Sequence, residues 1–269
     1  MSSHPPLLLV GAQRSGTTAL ASVLDAAFDT VGGIFTINGK LAYLLQRWCT
    51  DADIRGRHFR ADEILHALDR KQPYGTHSVT WRLRVERVLR TTAARVARGG
   101  VADAGALRRS IIEECYAPAS RYGEKYNEHL LELEALSPIF PDAHWLLLIR
   151  HPAAVAASML RWRGDRPWRP VDRADALAKW ADWHGPWLGL PWTADPTRCT
   201  VLDYDSLCRG DGLGRLSAAI DLNLAPFAAG LIEHQSTVDH SLPKDIGRVW
   251  NRLLDQAHSS NTTKGTRTS

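Results

Sequence analysis

The sequence predicts an α/β fold, with a central, mostly parallel sheet flanked by helices, on three observations. Pro6-Leu7-Leu8-Leu9-Val10 and His144-Trp145-Leu146-Leu147-Leu148-Ile149 are short, nearly unbroken apolar runs, as expected of strands buried on both faces. Each leads through a short polar loop into a helix-forming stretch. Most of the chain between them carries apolar residues at helical spacing.

Taken in order, the first strand ends at Val10, and Gly11 to Gly16 forms a short loop before a helix beginning Thr17-Thr18-Ala19-Leu20. Helical patterns follow over Lys40 to Trp48, Ala61 to Arg70, Arg82 to Arg98 and Ala106 to Cys115, with Gly99-Gly100 separating the last two. The strand at His144 to Ile149 is followed by Pro152, at a first-turn position where its missing N–H costs nothing. That helix continues from Ala153 to Arg161. Another spans Ala174 to Trp187, ended by Gly185-Pro186 and Pro191. Arg198 to Tyr204 reads as a third strand. One domain is expected over residues 4–255, with 256–269 a polar, disordered tail.

Composition narrows the classes. The chain has 269 residues, 44% of them hydrophobic and 23% charged, an ordinary globular balance. No apolar run nears the ~18 residues of a membrane span, and the N-terminus shows no secretory signal. Cys49, Cys115, Cys199 and Cys208 are scattered without a CxxC pair, which argues against a disulfide framework or a zinc site. A cytoplasmic protein with reduced thiols is the expectation, without a membrane or nucleic-acid partner. A formal charge of +4 is too small to imply nucleic acid. Arginine dominates the 33 basic residues: only positions 40, 71, 125, 179, 244 and 264 are lysine, so a lysine inside a motif is informative.

Two motifs carry chemistry. Gly11-Ala12-Gln13-Arg14-Ser15-Gly16-Thr17-Thr18 nearly matches the phosphate loop GxxxxGK[ST], whose backbone N–H groups cradle phosphate oxygens at a helix N-terminus. Thr17 stands where the lysine would be, and Arg14 is the loop's cation. The second motif is Arg150-His151-Pro152 followed by Ser158, seven residues after His151. Two helical turns bring that hydroxyl back under the helix start, so a guanidinium and a hydroxyl face one site at the sheet's carboxyl edge. Alone, each motif has a plain alternative, a glycine turn or a surface arginine with a packing serine; together they favour an anion site.

At these motifs the chain resembles the sulfotransferases that use 3′-phosphoadenosine 5′-phosphosulfate (PAPS). Phe140-Pro141-Asp142-Ala143 and Val201-Leu202-Asp203-Tyr204-Asp205-Ser206-Leu207 are similar to further family segments. The resemblance implies a three-layer, P-loop-like fold with a helical acceptor-binding insertion. It implies that the first loop (Gln13, Arg14, Ser15, Gly16, Thr17, Thr18) holds the 5′-phosphosulfate, and that Arg150 and Ser158 hold the 3′-phosphate. Tyr204 then lies near the adenine and Lys244, in a basic loop, returns to the 3′-phosphate. PAPS is the implied donor, with no metal, and the acceptor a small molecule such as a sugar or natural product.

Tyr122-Gly123-Glu124-Lys125-Tyr126-Asn127 resembles a family segment Gly-(Glu/Asp)-Lys-Thr-Pro, which gives Lys125 the charge on the transferring sulfonate; Tyr-Asn replaces Thr-Pro. Arg14 is the second catalytic cation. The base candidates are His77 first, then Glu124, Glu128 and His129. Arg161 to Pro170, rich in Arg and Trp, reads either as an acceptor lid or as a solvated loop. Two other functions fit less well. A nucleotide kinase with a degenerate loop lacks the expected lysine, and a non-catalytic Arg/Trp nucleic-acid binder has too little net charge.

Overall fold

The computed structural model describes residues 4–164, 169–231 and 239–259. Five strands and twelve α-helices alternate along the described chain. β1 (Leu7–Val10) leads to α1 (Thr17–Asp29) and β2 (Ile34–Ile37). Five helices follow: α2 (Leu41–Trp48), α3 (Asp51–Arg55), α4 (Ala61–Asp69), α5 (Ser78–Ala97) and α6 (Ala104–Tyr116). Then come β3 (Tyr122–Lys125), α7 (Leu133–Leu136), β4 (His144–Ile149), α8 (Pro152–Leu160) and α9 (Arg173–Gly189). β5 (Cys199–Asp203) precedes α10 (Tyr204–Cys208), α11 (Leu213–Ile220) and α12 (Lys244–Ser259). The strand order is β2-β3-β1-β4-β5, with β2 parallel to β3 and β4 parallel to β5. The α/β class and the parallel sheet expected from sequence are therefore present. Among the described residues, no helix is long and apolar enough to cross a membrane.

The chain gathers into two compact units, Met1–Leu8 with Leu24–Ala143 and Leu9–Val23 with His144–Ser269. The first holds β2, β3 and the helices α2 to α7. Its core is built by one apolar face of each helix: Leu41, Leu44 and Leu45 of α2, Ile64 and Leu68 of α4, Val85 and Leu89 of α5, Ile111 and Ile112 of α6. Local chemistry fixes the helix starts. Thr50 and Asp53 form a capping box on α3, and the Asp103 carboxylate accepts the N–H groups of Gly105 and Ala106 on α6. The second unit centres on β4, whose six residues are all buried, and on Trp145, Trp180 and Trp187, each fully buried. These tryptophans anchor the packing of this unit.

Three differences from the sequence-based expectation have physical causes. β2 and β3 were not legible as strands, because Thr36, Glu124 and Lys125 break the apolar run at their carboxyl ends. α9 runs through Gly185-Pro186 to Gly189. Pro186 removes one N–H bond to the preceding turn, but the last turn is held from its sides. Trp187 Nε1 donates to Gln256 Oε1 at 2.9 Å, and Thr193 Oγ1 donates to Trp187 O at 2.7 Å. Lys244 opens α12 rather than lying in a loop, and α12 extends to Ser259, so residues 256–259 of the expected tail are helical. Residues 260–269 of that tail, and 165–168 of the Arg/Trp segment, lie outside the described residues.

Candidate active site

The first motif folds as a tight turn. A Cβ at Gly11 would come within 2.6 Å of Leu148 O, so the backbone leaves β1 flush against β4. Arg14 (φ 70°) and Gly16 (φ 90°) both turn left-handed. Gly16 is required twice over, since its conformation favours glycine and a methyl group there would enter the Tyr204 ring. Ala19 and Leu20 donate their N–H groups to Gly16 O at 3.0 and 3.3 Å, which starts the α1 ladder. A helix N-terminus carries partial positive charge, which suits an anion at this loop. Ser15 is fully buried, and its Oγ has no hydrogen-bond partner among the described residues. A buried hydroxyl without a partner is costly, and a phosphate oxygen would supply one. Gln13 is half-buried, Thr17 buried and Thr18 exposed.

The second motif meets the first. Arg150, buried at the end of β4, carries its guanidinium 5.1 Å from the Tyr204 ring centroid, with Nε 3.4 Å from Asp205 Oδ1. Ser158 Oγ accepts a hydrogen bond from Arg14 Nε at 3.1 Å, and the Arg14 guanidinium lies 4.9 Å from the Trp162 ring. Partial burial, then the charges of Arg150 and Arg161, push Arg14 below its ordinary value, the mark of cations gathered without an anion. Burial, then His240, hold His151 down to about 4. It is neutral at pH 7, and its Nδ1 accepts the Ala153 N–H at 3.3 Å to cap α8. Lys244 is exposed at the start of α12.

The other unit holds the remaining candidates. Lys125 ends β3, paired with Ile37 of β2, and is only 3% exposed. Burial, then Lys71, lower it to about 8, against a smaller opposing pull from Glu128. His77 lies just before α5, and its Nε2 is 2.8 Å from Asp29 Oδ1. Glu124 and His129 are both fully buried, with Glu124 Oε1 3.3 Å from His129 Nε2. Burial raises Glu124 to about 8 despite the hydrogen bond from Tyr116, and burial followed by Lys125 lowers His129 to about 3. At pH 7 this is a protonated carboxyl beside a neutral imidazole. Neither is open to a dissolved acceptor, whereas His77 and Glu128 are partly exposed.

Sequence reasoning missed Asp205 as the partner of Arg150, Asp29 as the partner of His77, and Lys40, which is buried beside β2. The rarity of lysine was the available signal for Lys40; nothing local marks the two aspartates.

Solved structures with the same fold share little sequence. They include the sulfotransferase domain of the Synechococcus PCC 7002 olefin synthase, at 17% identity over 99% of this chain and 90% of that one, TM-score 0.51. A sulfotransferase domain from the curacin biosynthetic pathway matches at 13% identity over 94% and 99%, TM-score 0.53. A sulfotransferase from Mycobacterium avium matches at 16% over 95% and 77%, TM-score 0.52. No curated protein sequence is similar enough to count as a relative. A sequence model described as the sulfotransferase family matches residues 5–211 and takes in both motifs, and by that match the chain belongs to the sulfotransferase family, whose reaction is sulfuryl transfer.

Proposed function

We propose that the protein transfers a sulfuryl group from PAPS to a hydroxyl or amine of a small-molecule acceptor, in line and without a metal. The observation that carries this reading is the hydrogen bond from Arg14 to Ser158, which joins the first loop to the Arg150 motif. With the unpartnered Ser15 hydroxyl, it makes one cationic, donor-rich surface from residues far apart in sequence.

Bound PAPS supplies a sulfuryl group already attached to a good phosphate leaving group. In this reading Gln13, Ser15, Gly16, Thr17 and Thr18 bind the 5′-phosphosulfate through backbone N–H groups and hydroxyls. Arg14 rotates from Ser158 onto the leaving oxygen. Arg150 and Ser158 take the 3′-phosphate, since a planar guanidinium matches it with forked hydrogen bonds. Tyr204 backs Arg150 beside the adenine, and Lys244 adds a charge to the 3′-phosphate. Lys125 offsets the charge that develops on the equatorial oxygens, where a preorganised ammonium is most effective. His77, oriented by Asp29, accepts the acceptor's proton.

Calorimetric titration with 3′,5′-adenosine bisphosphate, 5′-AMP and ATP, with and without magnesium, tests the donor. At least about tenfold preference for the bisphosphate without magnesium is expected, one charge-assisted contact being worth about that much. Preference for ATP, or binding only with magnesium, overturns it in favour of a kinase.

A further inference from the structure

The carboxyl ends of β2 and β3 lie side by side, with Ile37 opposite Lys125 and the Asn38 N–H donating to Lys125 O at 2.8 Å. Beyond them the chain turns through two left-handed residues, Asn38 (φ 61°) and Lys40 (φ 45°), before α2 begins. The Lys40 backbone N–H donates to the Glu124 carboxyl, which fixes the turn to β3. A bridge between Ile37 and Tyr74, with N···O distances of 3.0 and 2.9 Å, brings Tyr74 to the same strand end, three residues after Lys71. Lys71 is close enough to act on both Lys40 and Lys125, so three of the chain's few lysines are neighbours here.

Lys40 is 6% exposed, yet its ammonium makes no hydrogen bond or ion pair with any described residue. Lys125 is in the same condition. Burial, then Lys71 and Arg70, hold Lys40 below its ordinary value, with weaker opposing pulls from Glu128 and Asp69. Asp69 is already engaged by Arg82, through two hydrogen bonds of 2.7 Å. Neither Nζ is among the buried polar atoms that lack a partner, so each lysine buries its stem while its ammonium stays open to solvent and to a ligand. Both lie at the strand ends, where open α/β sheets bind ligands.

Within the sulfotransferase reading above, on which this rests, we infer that Lys40 and Lys71 form an anion subsite for the acceptor. The acceptor then bears a carboxylate or phosphate besides the hydroxyl or amine that receives the sulfuryl group. In the proposed function the nucleotide's charges are assigned to Arg14 and Arg150, and the transfer itself to Lys125. Lys40 and Lys71 are left for the acceptor. Lysine suits the task, because a compact ammonium on a flexible stem accepts an anion from several directions, whereas arginine demands a planar fork.

The test is to saturate the protein with 3′,5′-adenosine bisphosphate and titrate inorganic phosphate and acetate, followed by NMR line broadening. The wild type is expected to bind at least one of them with the nucleotide in place. Lys40→Gln is expected to weaken that binding about tenfold, the usual worth of one charge-assisted contact, and Lys71→Gln about threefold from its exposed position. Bisphosphate affinity should stay at the wild-type value in both variants. Stronger binding of acetate assigns a carboxylate; stronger binding of phosphate assigns a phosphate. The inference is overturned if neither anion binds the nucleotide-saturated wild type, or if both variants bind as the wild type does. Should Lys40→Gln fail to fold, Lys71→Gln decides, because Lys71 is exposed. Should the bisphosphate itself fail to bind, the donor reading falls, and the same two variants titrated without nucleotide still decide the subsite.

Discussion

The region around the first loop and the region at the ends of β2 and β3 both gather positive charge, but with different side chains. The first uses arginines already engaged by the protein: Arg14 by Ser158 and Trp162, Arg150 by Asp205 and Tyr204. The second uses lysines, two of which, Lys40 and Lys125, have buried stems. Arginine cannot be neutralised by burial, so it can be set in place for a group that is always an anion. A buried lysine loses charge easily: Lys125 is already down to about 8. The first region is built to bind at any pH, and the second to act within a pH window.

The largest expected effect lies in the second region. Lys125→Ala should lower kcat by about 100- to 1000-fold, as loss of one preorganised charge-stabilising donor does, while bisphosphate affinity stays within about twofold of wild type. Normal turnover by this variant would remove the contrast between the regions. Arg150→Ala should act in the opposite sense, weakening the bisphosphate by about 100-fold in calorimetry, since it removes a forked, charge-assisted contact to the phosphate. Gly16→Ala should destabilise the fold by about 1–3 kcal/mol through the clash with Tyr204, read as a lower melting temperature.

The smallest effects are in pH dependence. If the Lys125 ammonium is the active form, kcat should fall as pH rises through about 8. Stability should move the other way there, because between about 8 and the ordinary lysine value the unfolded chain binds more protons than the folded one. Glu124 gives a separate window. Its folded value, raised to about 8, means its contribution is fully present below the ordinary carboxylate range and is lost as pH rises through about 8. Glu124→Gln should flatten the melting temperature across that window; an unchanged slope would show that Glu124 is already ionised.

What was legible in the sequence was what local chemistry determines. β1, β4 and β5 are apolar along nearly their whole length because both faces are covered, so they stand out in one dimension. The first loop and the Arg150 motif were legible because backbone geometry dictates glycine and proline at fixed spacings. β2 and β3 were hidden by the polar residues at their ends that make them of interest. Asp205 and Asp29 were invisible for another reason. Each acts on a residue 55 and 48 positions away, and nothing in the local sequence distinguishes such an aspartate from a surface one.

The contact between Gly16 and Tyr204 constrains how the chain can evolve. The ring that fills the space a side chain would need at 16 is the ring that supports Arg150. A larger residue at 16 is tolerable only if 204 shrinks, and a smaller residue at 204 removes the backing of the guanidinium. In an alignment of homologues the two positions should therefore change as a pair, glycine with an aromatic ring, and substitutions at one alone should be rare.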